Sequence, residues 1–368
     1  MHEQRIINNY NDLDDYFINN GVKKLFLVCG NSIHKLKVDS YFENLESRIG
    51  VKVIRFMDFA PNPSYDSVVK GIDLFHSSEA DTIMAVGGGS AMDVAKAIKL
   101  FSNMDNSTPY LEQTIVPNNV KFIAMPTTAG TGSEATRYAV IYYKGNKQSI
   151  TDYNSIPEAV ILDPSALESL PEYQRKATML DALCHAIESF WSVNSTDESK
   201  KYSRNAIKMI LENKDSYLAN ESEGNKQMLL AANIAGKAIN ITQTTAGHAM
   251  CYGLTSLYGL PHGHAASLCV SKLWPYMIEN TENSIDTRGV EYLAELFEEL
   301  GDLMGCTDGK NGAEKFYTIV QSLNLPSVEA KDEEFSVLIS SVNPVRLKNN
   351  PVQLDEETIS KLYRQILG

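Results

Sequence analysis

No stretch of the 368-residue chain approaches the ~18–20 consecutive apolar residues that a bilayer crossing needs. The opening MHEQRIINNYNDLDD is polar where a secretory signal would carry an apolar core, so a cytoplasmic location is expected. Cysteine is scarce: Cys29, Cys184, Cys251, Cys269 and Cys306 form an odd set without a CxxC pair, four of them among apolar neighbours. That excludes a disulfide-stapled scaffold, a zinc ribbon and a redox pair, and it predicts reduced, mostly buried thiols. Positive charge is also short, with 33 Lys and Arg against 46 Asp and Glu and a net charge of −13. Without a basic block the chain lacks the face that nucleic acid or an anionic membrane needs, and neither is an expected partner. An anionic ligand must be held by local donors.

What is present is a globular composition, 43% hydrophobic and 21% charged, long enough for two domains with a core each. The first 165 residues alternate short β-rich runs with helical stretches. KLFLVC (24–29), VKVIRF (51–56), TIMAVG (82–87) and KFIAMP (121–126) read as strands buried on both faces. Between them, SIHKLKVDSYFENLESRI, YDSVVKGIDLFHSS and AMDVAKAIKLFS repeat apolar residues at three and four, as helices do. This order predicts an α/β domain with a parallel sheet over 1–165, ending with a hairpin (138–153), a last strand AVILD (159–163) and the break DPSALESLP. From 172 onward the pattern is helical, and 166–368 is expected to be an all-α domain. Its helices start with EYQRKATMLDALCHAIESFWS, then a capping box STDE (195–198) before SKKYSRNAIKMILEN, then 224–240, 244–257, 262–279, 287–303, 311–322 and 356–366. No repeat, low-complexity tract or long linker appears, so the two domains are expected to meet in a cleft.

Two loops follow predicted strands. Gly87-Gly88-Gly89-Ser90 ends the third strand and opens a helix, where close backbone approach and the helix start both favour a phosphate. Its spacing is not GxGxxG, and a tight turn without a ligand is the alternative. The second, Pro126 to Glu134, carries Thr127, Thr128, Thr131 and Ser133 with Gly130 and Gly132. Both lie at carboxyl ends of parallel strands, where open α/β sheets bind ligands. Gly30-Asn31-Ser32 and Asn62 are further candidate contacts, and dinucleotide binding is the favoured reading.

Four of the seven histidines fall between 185 and 264. Asp181 and His185, four apart on a predicted helix, share a face and suit one metal ion; His248 and His262 flank a turn at Gly259-Leu260-Pro261. One carboxylate and three imidazoles match Fe²⁺ or Zn²⁺. A plain hydrogen bond is the alternative for the Asp181/His185 pair, but apolar surroundings make an unpaired carboxylate costly. His264 is expected to cap or hydrogen-bond, and His2, His34 and His76 to be ordinary surface or loop residues. Asn194-Ser195-Thr196 reads as a helix cap rather than a glycosylation site.

The motifs GGGSAMDVAKAI, MPTTAGTGSEAT, DALCHAIES and PHGHA, in this order and spacing, resemble the iron-containing (group III) alcohol dehydrogenases, relatives of glycerol dehydrogenase and dehydroquinate synthase. The resemblance covers essentially the whole chain. It implies that Asp181, His185, His248 and His262 bind the metal and that Gly88, Gly89, Ser90, Thr127, Thr128, Thr131 and Lys147 face NAD(H) or NADP(H). Gly87, Asp93 and Ser133 of the same motifs, with Gly30, Asn31 and Asn62, complete the cofactor candidates. Where many members carry a proton-relay histidine four residues after the third ligand, this chain has Tyr252, so the tyrosine, water or a cofactor ribose hydroxyl delivers the proton. Gly30 stands where NAD-users often have an aspartate; its loss removes repulsion toward a 2′-phosphate, and Lys35 is placed to assist.

A narrower resemblance, to phosphonoacetaldehyde reductases, lies in EATRYAVIYY, ALCHAIESFWSVNSTDESKKY and AGKAINITQTTAGHAMCYGLTS. It gives Arg137 a role, pairing with a phosphonate or sulfonate through two parallel hydrogen bonds; an ordinary salt bridge is the alternative, and Arg346 and Lys237 are weaker candidates. The expected reaction is hydride transfer between nicotinamide and a small aldehyde or primary alcohol, phosphonoacetaldehyde first, with sulfoacetaldehyde, lactaldehyde or a general alcohol as alternatives. A homodimer is the default assembly. A dehydroquinate synthase-like cyclase would need a Lys and Arg cluster that is not found near 181–264, and a silent metal or nucleotide sensor would not need all four ligand types intact.

Overall fold

The β-rich runs of the first half pair as one parallel sheet in a computed structural model that describes residues 4–368. His2 lies outside the described residues. The strands are β1 (Arg5–Ile7), β2 (Lys24–Cys29), β3 (Lys52–Phe56), β4 (Thr82–Gly87), β5 (Lys121–Pro126) and β8 (Ala159–Ile161), in the order β1-β8-β5-β4-β2-β3. A two-stranded antiparallel hairpin, β6 (Tyr138–Tyr143) and β7 (Asn146–Thr151), stands apart from it. The helices of this half are α1 (Tyr10–Asn19), α2 (Val38–Glu43), α3 (Leu45–Ile49), α4 (Tyr65–Ser78) and α5 (Gly89–Phe101).

Side-chain alternation divides the sheet's two faces. Phe26, Val28, Ile83, Ala85, Phe122 and Ala124 pack with Val68, Ile72 and Phe75 of α4 and with α5. Leu25, Leu27, Met84, Val86, Ile123 and Met125 pack on the opposite face with Leu13 and Phe17 of α1 and Val38 and Phe42 of α2. Two expectations are corrected. β3 is an edge strand in which only Phe56 is fully buried, so it is not covered on both faces. The segment 32–49 is not one helix: a 3-10 turn (Asn31–Lys35) ends at Leu36 in extended conformation, and Asn44 separates α2 from α3. Tyr10–Asn19 and the three-residue strand Arg5–Ile7 are additional elements.

From Glu172 on, the elements are α6 (Glu172–Trp191), α7 (Asp197–Leu218), α8 (Ser222–Thr242), α9 (Ala246–Tyr258), α10 (His262–Glu279), α11 (Val290–Leu303), α12 (Gly309–Ser322), α13 (Glu334–Ser340), α14 (Pro344–Leu347) and α15 (Glu356–Leu367), with short 3-10 turns. The cap of α7 is corrected: Thr196, not Ser195, accepts from the Ser199 amide, and Ser199 accepts from the Thr196 amide in return. No helix among the described residues is long and apolar enough to cross a membrane.

The chain forms two compact units. One runs to Thr128 and resumes over Ser133–Leu170; the other holds Ala129–Gly132 and Pro171–Gly368. The four-residue excursion has a steric basis. Gly132 has φ +56°, and a Cβ there would come within 2.7 Å of the Gly236 Cα on α8, while one on Gly130 would reach the Thr178 Cβ of α6 at 2.8 Å. Only bare backbone lets the loop lie this close to both helices.

Candidate active site

In the first unit, β4 ends at Gly87 and α5 begins at Gly89, with Gly88 as an N-cap whose side chain can satisfy none of the helix's first amides. Those amides and the helix dipole favour an anion. The loop after β5 closes on the same place: the Thr127 amide donates to the Gly87 carbonyl at 3.1 Å, and a Cβ on Gly88 would sit 3.4 Å from the Thr128 hydroxyl. Gly87, Gly88, Gly89, Ser90, Thr127 and Thr128 thus gather at the carboxyl edge of β4 and β5. Lys96, fully buried on α5, fixes the continuation of the loop by donating to the carbonyls of Ser133 (2.6 Å), Thr136 (2.8 Å) and Tyr138 (2.7 Å). Burial pulls its pKa down to about 8, and it pushes Asp93, three residues earlier, up to about 7 against the opposing charges of Lys96 and Lys147. Asp93 also accepts from the Val140 amide on the hairpin, so it braces the turn beside Ser90.

The other cofactor candidates are dispersed. Gly30 caps the exposed turn that holds Asn31. Asn62 is exposed with φ +58°, a left-handed conformation that asparagine tolerates. Lys147 is exposed on β7, and Thr131 belongs to the excursion counted with the second unit. Asp39, the first acid after β2, is occupied by Arg55 at 2.6 Å and His34 at 2.8 Å. Arg137, at the foot of the hairpin, donates to the Tyr153 hydroxyl and lies over the Tyr138 and Tyr153 rings.

In the second unit, α6 carries Asp181 and His185 one turn apart, α9 carries His248, and α10 opens with His262. Asp181, His248 and His262 each present a ligand atom within 4.8 Å of the other two. His185 is not in that group, but its ring stacks on His248 with centroids 4.5 Å apart. Asp181 and His248 are almost fully buried, yet Asp181 Oδ1 and His248 Nε2 lie 3.5 Å apart with no hydrogen-bond partner, and buried His185 Nδ1 has none either. Burying such atoms unsatisfied costs ~1–3 kcal/mol each, more when charged, so the donor set fits a cation at its centre.

The crowded acid and imidazoles shift one another. Burial alone would raise the Asp181 pKa, but His185, His262 and His248 hold the carboxyl well below the usual range. Burial drops His185 to about 4, which keeps it neutral as ligation requires. His248 is pushed up to about 9 despite its burial, because Glu188 and Asp181 face it. Glu188, which the sequence reading passed over, is fully buried and accepts from the Thr245 amide (3.0 Å), the Thr245 hydroxyl (2.7 Å), the His248 amide (3.2 Å) and His248 Nδ1. It therefore fixes the His248 ring with Nε2 toward Asp181, as a carboxylate behind a ligating imidazole does. Its signal was in the sequence: positions 181, 185 and 188 fall on one helical face.

Tyr252, one turn after His248, stacks on the His262 ring at 5.4 Å. Burial raises its pKa, so the phenol stays protonated. His264 turns away and meets the Tyr173 hydroxyl at 2.9 Å, the hydrogen-bonding role expected of it. His34, against Asp39, and His76, bonded to the Ser102 carbonyl, are both exposed.

Residues 6–164 match the family model for iron-containing alcohol dehydrogenase, and residues 176–367 match the model for the C-terminal region of the same Fe-containing family. The chain belongs to the iron-containing alcohol dehydrogenase family. It is an oxidoreductase. Aldehyde-alcohol dehydrogenase 2 of Entamoeba histolytica is 32% identical over 70% of this chain, and the match spans only 31% of that longer protein. A phosphonoacetaldehyde reductase of Streptomyces viridochromogenes is 30% identical, over 81% of this chain and 79% of the relative. A crystal structure of sulfoacetaldehyde reductase from Bifidobacterium kashiwanohense in complex with NAD+ superposes with a TM-score of 0.87 at 25% identity, covering 100% of this chain and 98% of that one.

Within this iron-containing alcohol dehydrogenase, Gly263 sets the spacing of the histidine-bearing helices. A Cβ there would overlap the Ala177 carbonyl and approach the Asp181 Cβ to 2.5 Å. Gly263→Ala is expected to force α10 off α6, costing ~1–3 kcal/mol of stability and releasing metal. Thermal unfolding and metal content of the purified variant check this.

Proposed function

We propose that this enzyme reduces a small anionic aldehyde, phosphonoacetaldehyde first, with NADH or NADPH and a divalent metal, Fe²⁺ or Zn²⁺, held by Asp181, His185, His248 and His262. The observation that carries the reading is the cluster of ligand atoms from Asp181, His248 and half-buried His262, in which Asp181 Oδ1 and His248 Nε2 are buried without a hydrogen-bond partner. When bound, the ion supplies Lewis-acid polarisation of the carbonyl and the nicotinamide supplies hydride. The chain's own contribution is positional. Gly87 to Ser90, Thr127 and Thr128 offer amides and hydroxyls to a pyrophosphate at the start of α5, and Lys96 and Asp93 keep those loops in place. Glu188 orients His248. Tyr252 holds its proton through the neutral range and is assigned to pass it to the nascent alcohol oxygen.

The anionic substrate is supported by two relatives whose names specify two-carbon aldehydes bearing a phosphonate or a sulfonate. Arg137, clasped by two tyrosines, is the first candidate for the charged end. The enzyme is further proposed to act as a cytoplasmic homodimer, which light scattering tests. The substrate test is a panel of phosphonoacetaldehyde, sulfoacetaldehyde, lactaldehyde and butyraldehyde with each nicotinamide, followed at about 340 nm, the absorbance of the reduced cofactor. Preference for the phosphonate by about tenfold or more in kcat/KM, equivalent to ~1.4 kcal/mol, is expected. Equal use of butyraldehyde would assign a general primary-alcohol dehydrogenase instead.

A further inference from the structure

Helix α6 carries Asp181, His185, Glu188 and Trp191 at intervals of four, three and three, a stripe along one face. The far end of the stripe anchors a chain of hydrogen bonds sealed from solvent: Trp191, Glu188, Thr245 and His248 are each at most 1% exposed. Trp191 Nε1 donates to the Thr245 hydroxyl at 2.9 Å, that hydroxyl lies 2.7 Å from Glu188 Oε1, and Glu188 Oε2 bonds His248 Nδ1. Chemistry fixes the direction of the chain. An indole N–H only donates, so the Thr245 oxygen is the acceptor there, and its single proton is left for Glu188. With the Thr245 and His248 amides also on Oε1, at 3.0 and 3.2 Å, that oxygen is fully engaged and Oε2 is left for the imidazole. The other ring nitrogen, His248 Nε2, then faces Asp181.

Thr245 reaches this place at a cost to its own segment. It is the N-cap of α9, where a threonine hydroxyl ordinarily bonds the helix's first amides, yet it makes no such bond. Its hydroxyl is spent on Glu188 instead, and Glu188 takes over the capping. The start of α9 presses on the carboxylate: a Cβ on Gly247 would lie 3.1 Å from Glu188 Oε1 and 2.6 Å from Val270 Cγ2. Just upstream, α8 ends at Gln243 with φ 62° and ψ 177°, a region almost reserved for glycine that another residue holds when its surroundings over-determine it. Asn349 pins the next carbonyl, Thr244, at 3.0 Å, and is itself held by Asn194 at 2.9 Å. An unused cap and a strained backbone both go with placing one hydroxyl between Trp191 and Glu188.

We propose that Thr245, oriented by Trp191, is a positioning residue for the metal centre: its hydroxyl commits Glu188 to His248 Nδ1 and so keeps His248 Nε2 turned toward Asp181. The proposal rests on the metal reading of Asp181, His185, His248 and His262. The test uses the full chain, stripped and reloaded with Zn²⁺ or Co²⁺, as wild type, Thr245→Val, Thr245→Ser, Trp191→Phe, Glu188→Gln and the Thr245→Val/Glu188→Gln double variant. Three quantities are read: Zn²⁺ affinity by chelator competition, the visible absorption of the Co²⁺-loaded protein, and the thermal midpoint of the metal-free protein. Thr245→Val is expected to weaken Zn²⁺ binding roughly 10-fold, as loss of support behind a ligating histidine does, and to alter the Co²⁺ spectrum. Thr245→Ser, which keeps the hydroxyl, should restore both, and Trp191→Phe should give a smaller loss in the same direction. In the Glu188→Gln background Thr245→Val should add little, because its effect passes through that carboxylate. Wild-type affinity and spectrum in Thr245→Val, whatever its thermal midpoint, overturn the proposal and leave the metal reading standing, as do fully additive losses in the double variant. A wild type that takes up neither ion overturns both. If Trp191→Phe does not fold, the two Thr245 variants decide on the same readings.

Discussion

Asp181→Asn is expected to yield a folded protein that retains neither iron nor zinc and has lost at least about a thousandfold in kcat/KM, since Lewis-acid activation contributes several kcal/mol. The substitution preserves shape and removes one buried charge, so folding survives while the ligand set loses its anion. His262→Ala should empty the site in the same way. Because the loops at Gly87–Ser90 and Thr127–Thr128 belong to the other unit, dinucleotide affinity in both variants should stay close to wild type. Metal per chain by elemental analysis and cofactor titration by fluorescence check the pair. Full metal occupancy in either variant would move the centre elsewhere.

Glu188 is expected to give the second largest effect, although it offers the ion no atom. Glu188→Gln keeps the volume and removes the charge that fixes His248 Nδ1, so metal affinity should fall 10- to 100-fold, the usual consequence of losing such support. Glu188→Ala goes further. It strands the Thr245 and His248 amides and the His248 Nδ1 group in a fully buried position, a loss of ~1–3 kcal/mol for each. Competition with a chelator measures the first and denaturant unfolding the second. A glutamine variant with wild-type affinity would reduce Glu188 to a packing role.

The strands β2, β4 and β5 were legible because parallel strands covered on both faces read as unbroken apolar runs. β1 was not, since three residues cannot show alternation, and α1 escaped because its amphipathic face holds only Leu13, Tyr16 and Phe17. The break inside 32–49 was hidden for a different reason. Its apolar residues keep helical spacing, yet Leu36 leaves the helical region and buries its side chain in the core that Val38 and Phe42 of α2 share. At the site, Asp181 and His185 were visible by their helical spacing, and His248 and His262 as imidazoles flanking a turn. Glu188 and Gln243 were not singled out: the first works through hydrogen bonds to another segment, and the second through a backbone angle that side-chain chemistry does not encode.

The edge of the sheet carries one more consequence. Among the described residues β1 pairs with β8 alone, Arg5 opposite Ala159 and Ile7 opposite Ile161, so this strand has no partner until nearly the whole sheet-bearing unit has been translated. The nascent chain must hold Ile6 and Ile7 in waiting while every inner pairing is completed, and this late closure makes the ribosome-bound intermediate the stage most exposed to chaperones and to misassociation.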